Sequence, residues 1–234
     1  MIGISVNCSN VKDRISKKYQ FYTLENALKF NFVHQDNGSL NWHYADQLIN
    51  ELPSNSRIRG HIQITHWTVN QDVPSALLRE FLIGTIQRYP RISEWDLIGE
   101  AIADVGLIRN YWSRTEFSLQ DIVSWAKEAN PDNNYYYSDY NLKTAHKWSR
   151  AVSLCNELNL GLAIQFRHHA YGRVWLMDLN KWIRRLKRQI NNSNILISEL
   201  DVLCAPALKA QYQDKIIRVA NQLEIDVCLW GKCL

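Results

Sequence analysis

The feature that most constrains the fold is a regular alternation of short apolar, strand-like runs with amphipathic helical stretches along the whole chain. Eight strand candidates occupy residues 2–7, 20–23, 58–65, 95–100, 135–138, 161–166, 195–200 and 225–230. Seven helix candidates lie between them, near 10–18, 43–51, 75–89, 118–129, 143–158, 178–190 and 207–223. Strands that alternate with helices form right-handed βαβ units and a parallel sheet. Eight of them predict one α/β domain over residues 1–234, a closed (β/α)8 TIM barrel.

The end of the chain departs from this repeat. A helix normally follows each strand of such a barrel, but the sequence ends at Leu234, directly after the eighth strand candidate, so the final helix is predicted to be absent. The outer faces of strands eight and one would then be bare, and soluble monomers rarely expose so large an apolar patch. We therefore expect a second copy of the chain, or another subunit, to cover that side.

Composition argues against several other classes of protein. The formal net charge is only +4, and the one dense basic run, residues 182–190, has its apolar residues at helical spacing. That run predicts a solvated helix face, so no nucleic-acid partner is expected. The five cysteines form no Cys-x-x-Cys pair, and no His-x-His or His-Glu-x-x-His spacing occurs, so neither a metal nor another cofactor is predicted.

The start of the chain and its hydropathy give an expectation for the compartment. Residues 1–7 have no basic segment followed by a long apolar one, and no run is long enough to cross a membrane. As numbered, the chain is therefore predicted to be cytoplasmic, without a membrane partner. A trimmed form of a secreted protein would have the same start.

Polar side chains collect where the predicted strands end, which is where such barrels carry their chemistry. They comprise acids, amides, imidazoles, a guanidinium and indoles: Asn7, Glu25, Asn26, His61, His66, Trp67, Glu100, Asp139, Asn141, Gln165, Arg167, His168, Glu199, Asp201 and Trp230. So many polar groups at one barrel mouth would be a costly surface unless a polar ligand bound there. Glu100 and Glu199 end strands four and seven and would face each other across the mouth. Such a carboxylate pair, flanked by amides and indoles, fits cleavage of a glycosidic bond.

Seven motifs, in register along nearly the whole chain, resemble those of the glycoside hydrolase family 10 xylanases, which are retaining endo-β-1,4-xylanases on a (β/α)8 barrel. YTLENALKF resembles T-P-E-N-x-M-K-W, and IRGHIQITHW resembles V-R-G-H-T-L-V-W-H. The resemblance implies that sugar binding involves Glu25, Asn26, Lys29, His61 and His66.

The other five motifs imply the catalytic residues and further sugar contacts. WDLIGEA resembles W-D-V-V-N-E-A, which makes Glu100 the acid/base, and ILISELDV resembles I-x-I-T-E-L-D-I, which makes Glu199 the nucleophile with Asp201 behind it. YYYSDYN resembles Y-Y-N-D-Y-N. LAIQF resembles G-x-G-x-Q and CLWGK resembles V-x-W-G-V, so Gln165 and Trp230 match sugar-binding residues.

Three departures from the family pattern lie at the same site. The family Asn that precedes the acid/base, and that contacts the 2-hydroxyl of the sugar being cleaved, is Gly99 here. The family Trp of the third motif is Thr65, with Trp67 two residues on. The family His two residues after the glutamine is Arg167, and we expect Arg167 to turn outward so that His168 takes its place. The missing side chain at Gly99 could slow the reaction, or the gap could admit a bulkier sugar.

The resemblance implies hydrolysis of β-1,4-xylosidic bonds in xylan, or in a related β-linked polysaccharide or oligosaccharide, by double displacement. The alternative is a catalytically weak or inactive carbohydrate-binding barrel with a binding or assembly role. For a retaining enzyme, the carboxyl groups of Glu100 and Glu199 are expected about 5–5.5 Å apart. We also expect Glu100 to have the higher pKa of the two.

Overall fold

The computed structural model shows a closed barrel of eight parallel strands, each hydrogen-bonded to the next and β8 to β1. The strands are β1 (Ile2–Val6), β2 (Phe21–Leu24), β3 (Arg57–Ile64), β4 (Ile92–Gly99), β5 (Asn134–Asp139), β6 (Gly161–His169), β7 (Ile195–Leu203) and β8 (Asp226–Leu229). All eight lie where the sequence predicts them, which confirms the TIM barrel. The structure describes residues 1–169, 175–192, 194–203 and 206–231.

The helices between the strands match the prediction except near the start of the chain. They are α1 (Val11–Arg14), α2 (Phe30–Val33), α3 (His43–Glu51), α4 (Ser75–Arg88), α5 (Leu119–Ala129), α6 (Ala145–Leu158), α7 (Trp175–Gln189) and α8 (Pro206–Gln222), with a 3₁₀ turn at Asn110–Ser113. The first helix is only four residues long. It ends early because the Ser16 N–H bonds the Tyr22 hydroxyl, at 3.2 Å, instead of continuing the helical ladder.

The expected bare groove beside β8 and β1 is absent from the described part of the chain. Ile4 and Val6 of β1 and Val227 and Leu229 of β8 are each at most 4% exposed. The short helix α1 packs against β1, and α8 packs against β8. These two helices cover the side where the missing final helix was expected to leave a gap, so the expectation of a bare groove was wrong. Association with a second subunit on this side stays a prediction.

Helix α7 carries the dense basic run and is amphipathic, as predicted. Ile183, Leu186 and Ile190 are buried, whereas Arg184, Arg185 and Arg188 are exposed. The apolar side packs into the core, and the basic side faces solvent. None of the helices within the described ranges is both long enough and apolar enough to cross a bilayer.

Strand β3 sends alternate side chains into the barrel, and these set up its interior. At the lower end, the end at which the strands begin, Arg57 pairs with Glu94 at 2.5 Å and with Asp226 at 2.6 Å. One step up, Arg59 is fully buried and pairs with Asp96 at 2.5 Å. The next alternate residues of β3 are His61 and Gln63, which bring this column to the upper end of the barrel.

Candidate active site

The upper end of the barrel holds a pocket of about 160 Å³ in which most of the predicted site residues meet. It is lined by Glu25, Asn26, Lys29, His61, Gln63, Trp67, Glu100, Gln165, Arg167, Glu199 and Trp230. A second cavity of about 400 Å³ adjoins it and shares Glu100, Gln165 and Arg167. The two cavities therefore meet at these three side chains.

Glu199 lies on β7, opposite Gln165 of β6, and is 7% exposed. Burial raises the pKa of its carboxyl to about 8, and the negative charge of Asp96 adds to this, while Lys29 opposes it. The raised pKa therefore falls on Glu199, whereas we expected it on Glu100. The reason is location, because Glu199 is enclosed by the strands and Glu100 is only half-buried.

A column of three side chains stands beneath Glu199. Asp96 accepts hydrogen bonds from Arg59 at 2.5 Å and from His61 Nδ1 at 2.9 Å. Burial opposes ionisation of Asp96, but the charge of Arg59 and the bond to His61 hold its pKa below the ordinary value. Burial lowers the pKa of His61, which favours the neutral ring, and the contact with the Asp96 carboxylate favours the tautomer with the proton on Nδ1. Its Nε2 lone pair then faces the pocket, 3.8 Å from Glu199 Oε1.

Glu100 follows directly on the last residue of β4 and adopts a left-handed backbone, with φ of 51°. Its N–H donates to the carbonyl of Ser138 at 2.8 Å, and its own carbonyl accepts from Arg109 Nε at 2.8 Å. These bonds hold a backbone conformation that residues other than glycine seldom adopt. The Trp67 indole N–H donates to Glu100 Oε2 at 3.3 Å, which fixes the carboxyl group at the pocket wall.

Lys29 and Glu25 form the side of the pocket contributed by β2 and the segment after it. Lys29 is 5% exposed, and its ammonium group lies 4.7 Å from the centre of the Trp67 ring. Burial lowers the pKa of Lys29, although Glu199, Glu100 and Glu25 all act to raise it. Glu25 accepts hydrogen bonds from Ser5 at 2.8 Å and from Asn7 at 2.6 Å, so its carboxylate is fixed in place.

Gln165, Arg167 and Trp230 complete the wall on the side of β6 and β8. Gln165 donates to Ser138 Oγ at 3.3 Å, and the Trp230 ring lies 5.1 Å from the His61 ring. Arg167 lines the pocket, and its charge acts to lower the pKa of Glu199. The expectation that Arg167 turns outward was therefore wrong, because the register irregularity between β6 and β7 adds a residue to β7 and not to β6. The side chain of His168 lies outside what the structure describes.

Two of the predicted site residues lie away from the pocket lining. His66 is exposed, and its ring lies 6.4 Å from that of Tyr111. Asp201 is behind Glu199 on β7, with Lys209 Nζ at 3.8 Å. Sequence reasoning also missed Gln63 and Asp96, although the alternation Arg57, Arg59, His61, Gln63 marks one inward-facing column of β3. Asp96 lies within the motif WDLIGEA but in the middle of β4, so position at a strand end does not mark it.

The space beside Gly99 is occupied, which corrects the idea of a gap for a bulkier sugar. A Cβ atom at residue 99 would lie 2.5 Å from Gln63 Cγ and 2.8 Å from Thr65 Cγ2. Thr65 is buried, and its hydroxyl lies 3.1 Å from that of Thr68, within the turn that follows β3. The indole that lines the pocket here belongs to Trp67, two residues further along.

The arrangement is equipped for acid–base and nucleophilic chemistry on a polar, hydroxylated ligand. It combines one buried carboxyl group, two half-buried carboxyl groups, two indoles, and amide and imidazole groups. Among the residues that the structure describes, no group of three or more His, Cys, Asp or Glu side chains is arranged to hold a metal ion.

Comparison with known proteins identifies a family and several relatives. The model of the family described as "Glycosyl hydrolase family 10" matches residues 3–232. Endo-1,4-beta-xylanase A of Xylanibacter ruminicola is 27% identical over 162 residues, which is 62% of this chain and 44% of that protein. Endo-1,4-beta-xylanase 3 of Hypocrea jecorina is 31% identical over 137 residues, 53% of this chain and 40% of that protein. The matches thus span less than half the length of these relatives.

Solved structures resemble the barrel over nearly all of this chain. An intracellular xylanase from Thermoanaerobacterium saccharolyticum superposes with a TM-score of 0.84 at 19% identity, over 98% of this chain and 85% of that one. Xylanase 10B from Thermotoga petrophila in complex with xylobiose gives 0.82 at 20% identity, over 98% and 81%. At these identities the likeness establishes the fold.

Proposed function

Because this chain belongs to glycosyl hydrolase family 10, we propose that it cleaves β-1,4-xylosidic bonds in xylan or a related β-linked polysaccharide by a retaining double displacement. The observation that carries the proposal is the convergence of Glu100 and Glu199 in one pocket walled by Lys29, His61, Gln165 and two indoles. The xylanase names of the relatives and the bound xylobiose of one similar structure support the choice of substrate.

In the first step, the Glu199 carboxylate attacks the anomeric carbon while Glu100 donates its proton to the leaving oxygen. The glycosidic C–O bond breaks, and an ester joins the sugar to Glu199. In the second step, Glu100 takes a proton from water, whose oxygen attacks the anomeric carbon and releases Glu199. Both steps pass through an oxocarbenium-like state, which a nearby carboxylate stabilises.

The distribution of protons in the pocket is part of this mechanism. The reactive arrangement needs a proton on Glu100 and none on Glu199, whereas burial favours a proton on Glu199. Positive charge that develops on the sugar favours the ionised form of Glu199. Lys29 and Arg167 act in the same direction, since both lower the pKa of that carboxyl group.

The proposal is tested with wild-type protein and with the variants Glu199→Gln and Glu100→Gln, on xylan and on an aryl β-xylobioside with a good leaving group. We expect Glu199→Gln to lower kcat on both by about 10³-fold or more. Glu100→Gln should be equally impaired on xylan but should still release the aryl group in a burst, because that leaving group needs no proton. Proton NMR of the first product should show the β-anomer.

The results separate the proposal from its alternative. An α-anomeric first product would exclude double displacement. Xylo-oligosaccharide binding without any hydrolysis by the wild-type protein would instead identify a carbohydrate-binding barrel that does not catalyse.

A further inference from the structure

Gln63 fills the space that a side chain at residue 99 would otherwise occupy in the site. Gly99 ends β4 and has no side chain, and the volume into which one would grow is filled by Gln63 Cγ, 2.5 Å from a Cβ at residue 99, and by Thr65. Gln63 and the residue that follows Gly99, Glu100, line the same pocket. The neighbouring strand therefore supplies a side chain where β4 supplies none.

The backbone of β3 is distorted at this point. The pairing of β3 with β4 has a register shift between His61 and Ile64, where β3 contains one extra residue, and Gln63 adopts a left-handed conformation with φ of 48°. Such a conformation is costly for glutamine and is typical of bulges that re-aim a side chain beside an active site. The bulge directs Gln63 into the pocket next to Glu100, Glu199 and His61.

The Nε2 atom of Gln63 makes no hydrogen bond within the described chain that would help to hold the fold together. The residue is 2% exposed, and its Nε2 atom is buried without a hydrogen-bond partner among the described residues. An unpaired buried amide destabilises a protein, and an apolar side chain of the same shape would fill the volume without that penalty. A buried donor that faces a ligand pocket is instead satisfied when the ligand binds.

We propose that Gln63 is a substrate-contacting residue whose Nε2 donates a hydrogen bond to the 2-hydroxyl of the sugar that is cleaved. This inference rests on the proposed glycosidase function. The 2-hydroxyl is on the carbon next to the one that Glu199 attacks, so a donor in the pocket that holds both carboxyl groups is placed to reach it. Hydrogen bonds to this hydroxyl strengthen in the transition state of glycoside hydrolysis.

The test compares an aryl β-xylobioside with the analogue that lacks the 2-hydroxyl on the reacting ring. Gln63→Met keeps the length of the side chain and removes its donors. We expect kcat/KM on the hydroxylated substrate to fall roughly 10- to 100-fold and that on the deoxy analogue to change by less than about twofold. The melting temperature should stay the same or rise, because an unpaired buried amide is lost.

Gln213 provides a matched control. It lies on α8, away from the pocket, and its Nε2 atom is likewise buried without a partner in the described structure. Gln213→Met should leave kcat/KM on both substrates unchanged. A loss for Gln63→Met that is equal on the two substrates, or no loss at all, would overturn the inference.

A second pair of variants moves the amide between strands. Gln63→Gly removes the side chain from a backbone that suits glycine, and Gly99→Asn alone should impair the enzyme because its Cβ would clash with Gln63 and with Thr65 Cγ2. The combined variant Gln63→Gly, Thr65→Ser, Gly99→Asn removes both clashes. On the hydroxylated substrate only, its activity should be at least tenfold above that of the matched variant Gln63→Gly, Thr65→Ser. Failure to recover would count against the inference, and a wild-type protein that hydrolyses neither substrate would overturn the proposed function together with it.

Discussion

The lower and upper ends of the barrel interior are built from the same strands, yet they differ in how many of their buried polar groups have partners. Below, Arg57 pairs with both Glu94 and Asp226, and Arg59 pairs with Asp96. Above, His61 Nε2 and Gln63 Nε2 have no hydrogen-bond partners within the described chain, and Glu199 holds a raised pKa. The charges at the lower end are thus used within the fold, whereas the unpaired groups at the upper end remain available to the ligand that we propose.

The largest effect is expected at Asp96, because its carboxylate contacts both Arg59 at the lower end and His61 at the upper end. Asp96→Asn leaves the buried Arg59 without its nearest counter-charge, so we expect a loss of about 3–5 kcal/mol in the free energy of unfolding, measured in urea. The same change removes a negative charge that raises the pKa of Glu199. The pH at which kcat/KM rises should therefore move to lower values. An unchanged stability would show that Glu94 alone, 3.5 Å from Arg59, suffices as its partner.

At the upper end, neutralising Glu199 should stabilise the protein. The folded chain keeps the Glu199 proton until the pH approaches 8, whereas the unfolded chain releases it near the ordinary glutamate pKa. The wild-type protein therefore loses stability as the pH rises through this window, and Glu199→Gln does not. By calorimetry we expect the variant to be more stable than wild type by roughly 1–4 kcal/mol at pH 8, with the difference vanishing near pH 4. A difference independent of pH would contradict this reading.

At the lower end, Arg57→Met should lower the stability of the protein without changing its activity. It removes two ion pairs from a side chain that is 26% exposed, so partial solvent screening limits the loss to about 1–2 kcal/mol. Because Arg57 is remote from the pocket, kcat/KM should not change. A drop in kcat/KM at unchanged stability would show that the two ends are coupled more tightly than their contacts indicate.

The smallest expected effect concerns Trp67, whose indole N–H reaches Glu100. Trp67→Phe keeps an aromatic ring over Lys29 and removes the 3.3 Å hydrogen bond to Glu100 Oε2. We expect kcat/KM to fall about two- to tenfold, with a melting temperature close to that of wild type. A rise in KM that is larger than the fall in kcat would instead assign Trp67 to sugar binding and not to holding the acid/base group.

The fold was predictable because its signals are repeated and local. Eight apolar runs and the helices between them each carry their own periodicity, so small boundary errors, such as those at α1 and α7, leave the barrel intact. The burial of the outer faces of β8 and β1 was not predictable. It depends on how α1 and α8 pack, and a count of strands and helices does not contain that information.

The site was predictable where a residue ends a strand and less so where geometry decides. The motifs single out Glu199, Glu100 and Lys29, and the structure brings these three side chains together in one pocket. The pairing of Asp96 with His61 and Arg59, the inward turn of Arg167 and the entry of Gln63 beside Gly99 all depend on strand register. A bulge that shifts pairing by one residue has no reliable sequence signal.

The contact between Gly99 and Gln63 also constrains how such a site can evolve. The two positions cannot change independently. If residue 99 gains a side chain first, that side chain collides with Gln63. If residue 63 loses its side chain first, neither strand supplies an amide to that wall of the pocket. A lineage that exchanges one arrangement for the other must cross a low-fitness intermediate or acquire both substitutions together. Among homologous barrels, a side chain at 99 should therefore accompany a residue at 63 that leaves this space free, such as the Leu of the pattern V-R-G-H-T-L-V-W-H, and the two positions should be inherited as a pair.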